Sequence, residues 1–134
     1  MTAALRGGAL YFAGVFGLGV LLGMVRLLWL APGLGETAAV ALELPVMLAA
    51  SWWWAGWLAR RLGMPAAWRP RLLMGGLAFA LLMAAEFALG AATGSPPPAQ
   101  VAKWGTLPGG LGLAGQMAFA LFPLLRIFTQ AKSR

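Results

Sequence analysis

The sequence carries very little charge for its length. Of its 134 residues, 10% are charged and 61% are apolar, and the mean hydropathy is +0.82. A soluble domain has about 25% charged residues, so this chain has too little polar surface to cover a water-facing globule. That composition excludes a secreted disulfide scaffold, a disordered chain and an ordinary cytosolic enzyme. It predicts an integral membrane protein.

Histidine, cysteine and aspartate are absent, and the acidic residues are three glutamates, Glu36, Glu43 and Glu86. Without thiols or imidazoles, the chain cannot perform thiol catalysis or hold a His-ligated haem. Three carboxylates also leave little material for a zinc site or a hydrolytic triad. We therefore expect no cofactor, no bound metal and no enzymatic activity.

Four apolar runs predict an all-α fold, a single domain formed by a bundle of four transmembrane helices. The runs lie at about residues 7–31, 37–59, 72–92 and 108–128, each near the ~20 residues that cross a bilayer. A cleaved signal peptide is the competing interpretation of the first run, which is too long for that and has no cleavage pattern after it. Residues 32–35 predict a tight turn, and residues 94–98 predict a stiff extended loop.

The distribution of basic residues predicts the orientation of the bundle. The net charge of +7 comes from residues between the apolar runs, which is typical of topology signals and argues against a nucleic-acid partner. Lys103 is the one basic residue predicted on the outer side, and Arg26 lies within the first span. Both termini are therefore predicted in the cytoplasm. The cytoplasmic set is Arg6, Arg60, Arg61, Arg69, Arg71, Arg126, Lys132 and Arg134.

Membrane lipids are the first expected partners. The second connection concentrates four arginines that could bind anionic lipid headgroups, at ~1 kcal/mol per charge. A topology signal without specific lipid binding is the alternative interpretation of these arginines. They are Arg60, Arg61, Arg69 and Arg71.

Each predicted span contributes one strongly polar side chain to the same membrane level. With a rise of ~1.5 Å per residue, Arg26, Glu43 and Glu86 each lie roughly 8–10 Å from the outer membrane face, and Gln116 lies at a similar or slightly greater depth. Ionisable residues inside a span normally face the bundle interior. Since two acids accompany one arginine, one glutamate must be protonated, bind a cation or contact water. The layer is a candidate ion or substrate site; structural locking of the bundle and partner docking are the alternatives.

Small residues predict helix-packing faces on the first and third spans. Gly19 and Gly23 form a close-approach motif near Arg26 on the helix surface. Gly76, Ala80, Ala84 and Ala88 recur every four residues, on the side opposite Glu86. If this row packs on one helix while Glu86 avoids lipid, the third span is covered on two sides, which favours a symmetric oligomer.

Two prolines lie inside predicted spans, Pro45 in the second and Pro123 in the fourth. A proline has no backbone N–H, so the carbonyl four residues earlier loses its usual partner and the helix tends to kink. Spans interrupted by glycine and proline often form the substrate sites of membrane proteins.

The first three spans contain a set of residues and short motifs that are typical of one group of proteins. They are LRG at 5–7, LYF at 10–12, Gly23, Arg26, WL at 29–30, Pro32, LGE at 34–36, Glu43, Pro45, ML at 47–48, SW at 51–52 and AEF at 85–87. Together they resemble a group of small four-span proteins of bacterial inner membranes. The resemblance implies a four-helix membrane fold and an inner-membrane location, and it carries no activity. Small multidrug exporters fit poorly because they have a glutamate where this first span has Arg26. Fluoride channels fit poorly because their second-span asparagine and their third span rich in Phe, Thr and Ser are missing here.

The leading functional hypothesis is a small transport or permeation protein, working as a homo-oligomer. In it Glu86 and Glu43 bind or relay a proton or cationic group, Arg26 is the counter-ion, and Gln116 is a hydrogen-bond partner. The alternative is an accessory or assembly subunit of a larger membrane complex, favoured by the short chain and its small-residue faces. A lipid-modifying enzyme is the third possibility, and it would need Glu43 or Glu86 as a general base.

Overall fold

The computed structural model describes residues 2–132, except the side chains of Leu30, Ala31, Glu36, Gln130, Ala131 and Lys132. The chain forms α1 (Thr2–Val25), a π-helical turn (Arg26–Leu30), α2 (Ala31–Leu34), α3 (Glu36–Arg61), α4 (Trp68–Ala92), α5 (Pro97–Lys103) and α6 (Leu107–Lys132). Four of these segments are long and apolar enough to cross a membrane. This confirms the prediction of an all-α bundle of four long apolar helices, and it indicates a multi-pass membrane protein.

The four long helices pack as a square. Helices α1 and α6 each pack against both α3 and α4, while within residues 2–132 the diagonal pairs α1–α6 and α3–α4 share no backbone contact. We call the end with Thr2, the 62–67 connection and the last turn of α6 the terminal end. The end with Gly35 and residues 93–106 is the distal end.

Glycines bring the helices close together in the terminal half. Gly75 of α4 lies directly against the carbonyl oxygen of Ala120 in α6, with no room for a Cβ. Gly14 of α1 lies against the indole ring of Trp54, whose Nε1–H donates a hydrogen bond to the Leu10 carbonyl at 3.0 Å. Close backbone approach of this kind is how membrane helices gain packing energy without help from the hydrophobic effect.

The hydrophobic core also lies in the terminal half and is organised around Pro123. Because Pro123 has no N–H, the carbonyl of Phe119 loses its usual helical partner. The buried Tyr11 hydroxyl donates a hydrogen bond to that carbonyl at 2.7 Å. Its ring stacks on the Phe119 ring with centroids 4.2 Å apart. One side chain of α1 thus satisfies the backbone that the proline leaves open in α6.

Arg71 is a structural residue rather than a lipid ligand. Its side chain is 1% exposed; Nε donates to the Pro65 carbonyl at 3.2 Å, and Nη1 donates to the Pro123 carbonyl at 3.1 Å. The prediction that Arg71 binds a lipid headgroup is therefore wrong, because its guanidinium is buried against the backbone. Arg60, Arg61 and Arg69 are exposed, and headgroup binding stays a prediction for these three.

Both distal connections differ from the sequence prediction. The chain stays helical through Leu34 and turns at Gly35 alone, whose φ of 87° suits glycine. Pro32 cannot donate to the Leu28 carbonyl, and the backbone widens into the π-helical turn just before it. Residues 94–98 do not form an extended loop, because Pro97 begins helix α5, a position where a proline needs no N–H.

Candidate functional site

Arg26 and Glu43 form an ion pair between α1 and α3. Arg26 begins the π-helical turn, and its Nη1 donates to Oε2 of Glu43 at 2.7 Å. The side chains are 30% and 12% exposed. The pair therefore connects two helices near the distal end, and the two charges neutralise each other.

Glu86 and Gln116 form a second polar pair, between α4 and α6. Nε2 of Gln116 donates to Oε1 of Glu86 at 2.6 Å. The other amide atom of Gln116, its Oε1, is buried and has no hydrogen-bond partner among the described residues. A buried acceptor without a donor is costly, so this atom marks a place where a ligand or water could donate a hydrogen bond.

The four predicted polar residues line one cavity of about 430 Å³ in the middle of the bundle, which we call the deep cavity. Its other walls are mainly apolar: Val15, Phe16, Gly19, Leu44, Met47, Leu82 and Phe119 are among them. The volume is in the range of pockets that hold small molecules, about 300–1,000 Å³. The site is thus a mostly apolar space with a polar rim.

A second cavity of about 410 Å³, the vestibule, lies on the distal side. Its lining is more polar and includes Thr93, Ser95, Gln100, Lys103 and Trp104. Both cavities are lined by Arg26, Val40, Glu86, Gly112 and Gln116. The polar layer is therefore the boundary between a polar vestibule and an apolar deep cavity.

The two carboxylates of the polar layer differ in whether a cationic side chain neutralises them. Glu43 is neutralised by Arg26, whereas no cationic side chain in the described part of the chain lies within 4.0 Å of a Glu86 oxygen. Lys103 lines the vestibule but is exposed. Of the two carboxylates in the polar layer, Glu86 is the one without a cationic partner among the side chains that the structure describes.

The deep cavity is closed toward the terminal end. Val15, Leu82 and Phe119 line the cavity and also belong to the hydrophobic core, and the buried Ser51 lines it too. Beyond these residues lie the buried side chains of Tyr11 and Met74. The core therefore closes the cavity toward the terminal end, while exposed side chains such as Met24 and Leu27 also line it.

Gly19 and Gly23, the predicted packing glycines of α1, line the deep cavity. A Cβ at Gly19 would meet only the end of the Met47 side chain, and one at Gly23 would meet only the guanidinium of Arg26. Met47 belongs to α3, and close helix packing at Gly19 and Gly23 stays a prediction. Their small size leaves space for the cavity and for Arg26.

The small-residue row of α4 is exposed in the part of the chain that the structure describes. Gly76, Ala80, Ala84 and Ala88 all lie on the outside of the bundle, and open space surrounds Gly76. The α4–α6 approach is made by Gly75, one position away. Packing of the row stays a prediction for contact with another chain.

Several residues of the site carried no clear sequence signal. Gln100 reaches over the vestibule from α5, donating to the Ser95 carbonyl at 2.7 Å and the Phe87 carbonyl at 3.3 Å. Trp104 packs edge-on against Phe87, with centroids 6.0 Å apart. A helix in the predicted loop could have been suspected from Pro97, which is favoured at a first helical position.

Comparison with known proteins gives no relative: no protein-family model, no curated protein and no solved structure matches this chain.

Breaking the ion pair on one side should destabilise the bundle more than removing both charges. Arg26→Gln or Glu43→Gln leaves a partly buried charge without its partner, and we expect a loss of about 2 kcal/mol or more in the free energy of unfolding. The double variant leaves no such charge and should lose less than either single variant, and therefore less than their sum. Denaturant titration in detergent measures this. Strictly additive losses would contradict the coupling of the two side chains.

Proposed function

We propose that this protein is a small transport or permeation protein of the bacterial inner membrane, with Glu86 as the group that binds a proton or a cation. The observation that carries the proposal is the position of Glu86 at the junction of the vestibule and the deep cavity, without a cationic partner in the described structure. Intramembrane carboxylates that face a cavity are typical of ion and substrate pathways.

The other polar residues of the layer have supporting roles in this proposal. Arg26 neutralises Glu43 and fixes the spacing of α1 and α3 at the mouth of the deep cavity. Gln116 holds the Glu86 carboxylate in place through its N–H group. Glu43 takes part in cation binding when Arg26 moves away, because the released carboxylate then lines the same cavity.

The distribution of charge supports an orientation with both termini in the cytoplasm. Arg60, Arg61 and Arg69 are exposed near the terminal end, and basic residues concentrate on the cytoplasmic side of membrane proteins. In this orientation the vestibule faces the outside of the inner membrane. Transport then requires a second conformation, in which the core around Tyr11 and Phe119 opens toward the cytoplasm.

Purified protein in liposomes tests the proposal. Wild type should carry H⁺, Na⁺ or methylammonium down an imposed gradient, measured with an internal pH-sensitive dye or with radioactive cations. Glu86→Gln, alone or with Glu43→Gln, should reduce the flux to that of protein-free liposomes, because the uncharged amide neither holds a cation nor exchanges a proton.

Arg69→Gln is the matched control, since it removes an exposed charge near the opposite end of the bundle. It should leave the flux unchanged. The proposal fails if the double glutamine variant, folded by circular dichroism, still gives wild-type flux. It also fails if wild type carries none of the three cations and no larger amine.

The exposed row of α4 supports the second candidate, an accessory subunit of a larger membrane complex. Gly76, Ala80, Ala84 and Ala88 form a flat strip suited to close helix contact. Purification from native membranes in mild detergent separates the candidates. A subunit copurifies with other chains in fixed ratio, whereas a transporter of the proposed kind is recovered as a monomer or a homo-oligomer.

A further inference from the structure

The deep cavity is larger and more apolar than a site for a proton or an inorganic cation needs. Such ions are bound by groups of oxygen atoms or carried by water, and both require polar walls. Here the walls below the polar layer are mainly the side chains of Val15, Phe16, Leu44, Met47 and Leu82. A space of this kind gains free energy when it takes up the apolar part of a molecule.

At Glu86 and Gln116 the rim of the cavity offers hydrogen-bond acceptors. Oε1 of Gln116 is buried and without a donor among the described residues, and it belongs to the side chain that touches the Glu86 carboxylate. Both groups accept hydrogen bonds. Together they suit a positively charged nitrogen that carries several N–H groups.

The vestibule gives such a molecule a way in. It is lined by polar and aromatic side chains, including Thr93, Gln100 and Trp104, and it shares Glu86 and Gln116 with the deep cavity. Two cationic side chains line this path: Lys103 is exposed, where water screens its charge, and Arg26 is paired with Glu43. A cation can therefore reach Glu86 from the distal side while its apolar part enters the space beyond.

We propose that the substrate is an amphipathic amine, bound with its protonated amino group at Glu86 and Gln116 and its hydrocarbon part in the deep cavity. This inference rests on the proposed function in using Glu86 as the cation-binding group, and it adds the chemical class of the substrate. The site recognises both parts of such a ligand. The Glu86 carboxylate selects a positive charge, and the unpaired Oε1 of Gln116 selects N–H groups. The apolar walls select the hydrocarbon part.

Equilibrium binding of n-alkylammonium ions to the purified protein in nanodiscs tests the inference. Radiolabelled butyl-, hexyl- and octylammonium are the probes, and binding to protein-free nanodiscs of the same lipid is subtracted to remove partition into lipid. Affinity should rise with chain length, by up to about fourfold per added CH₂ group, the value for complete burial. Octanol and octanoate should bind at least about tenfold more weakly than octylammonium, because neither pairs with the carboxylate.

Two variants separate the parts of the site. Gln116→Met removes the amide oxygen and also the N–H group that holds Glu86, so it should weaken octylammonium about fivefold more than octyltrimethylammonium, which has no N–H. Gly112→Leu places a side chain in the cavity, where a Cβ meets nothing within 4 Å. It should abolish the gain from longer chains. Gly17→Leu is the matched control: it also has open space around it but lies on the outside of the bundle, away from both cavities.

The outcomes distinguish this inference from the proposed function. Glu86-dependent flux of H⁺ or Na⁺ without Glu86-dependent amine binding contradicts the inference and leaves the transport function standing. Amine binding that depends on Glu86 and Gly112, without flux of any cation, supports the inference and contradicts transport. If Glu86→Gln does not fold, equal binding of octylammonium and octanoate to wild type overturns the inference by itself.

Discussion

Gly75→Ala is expected to destabilise the bundle by about 2–3 kcal/mol, the cost of overpacking a tight site. An added Cβ would overlap the carbonyl oxygen of Ala120, which is a backbone atom and cannot move without shifting α6. The two helices must then separate. The Tyr11–Phe119 contact lies beside this approach, so we expect the core to loosen with it. Unfolding by denaturant titration in detergent measures the loss.

Gly76→Ala is the control one residue away. Gly76 has open space around it and is exposed, so the same substitution should gain about 0.5–1 kcal/mol from the helix preference of alanine. The two adjacent variants should thus change stability in opposite directions. Equal effects would show that Gly75 and Ala120 are not in close contact.

Arg71→Met should cost about 3 kcal/mol or more in the free energy of unfolding. The substitution keeps most of the buried volume but removes the donors to the carbonyls of Pro65 and Pro123. Each bond from a charged donor is worth about 1.5–3 kcal/mol, and a buried acceptor left without a donor adds to the loss. Because Pro65 precedes α4 and Pro123 is in α6, the connection and the helix should both loosen.

Arg69→Met is the matched control for this loss. Arg69 is exposed, and its guanidinium lies 5.3 Å from the centre of the Trp68 ring. An exposed contact of that kind contributes about 0.5–1 kcal/mol, so the change should be several times smaller. Hydrogen exchange should show faster exchange around residues 62–67 in Arg71→Met alone. A stable Arg71→Met with unchanged exchange would contradict the structural role.

The two halves of the bundle have different roles. The terminal half contains the core, with Tyr11, Leu58 and Met74 fully buried and Arg71 bonded to backbone carbonyls. The distal half contains the vestibule and the polar layer, and the deep cavity extends from that layer to the core. Substitutions in the terminal half should mainly change stability, while those at Glu86 and Gln116 should mainly change binding. Separation of this kind lets a site stay open without unfolding the chain.

The sequence by itself determined the fold class and the approximate position of the polar layer. Both follow from one-dimensional quantities: the length of an apolar run fixes whether it can span a bilayer, and a constant helical rise converts residue number into depth. Arg26, Glu43, Glu86 and Gln116 were placed at one level on that basis, and in the structure all four line the deep cavity.

Only the tertiary structure decided which side chains touch. Depth does not specify the neighbours of a helix, so Arg26 could have paired with either glutamate, and the packing of α1 on α3 selects Glu43. Rotation of α4 by one residue decides that Gly75, and not Gly76, meets α6. The same rotation buries Arg71 while Arg69 stays exposed. Contacts between helices depend on angles about their axes, which hydropathy and spacing within one helix leave open.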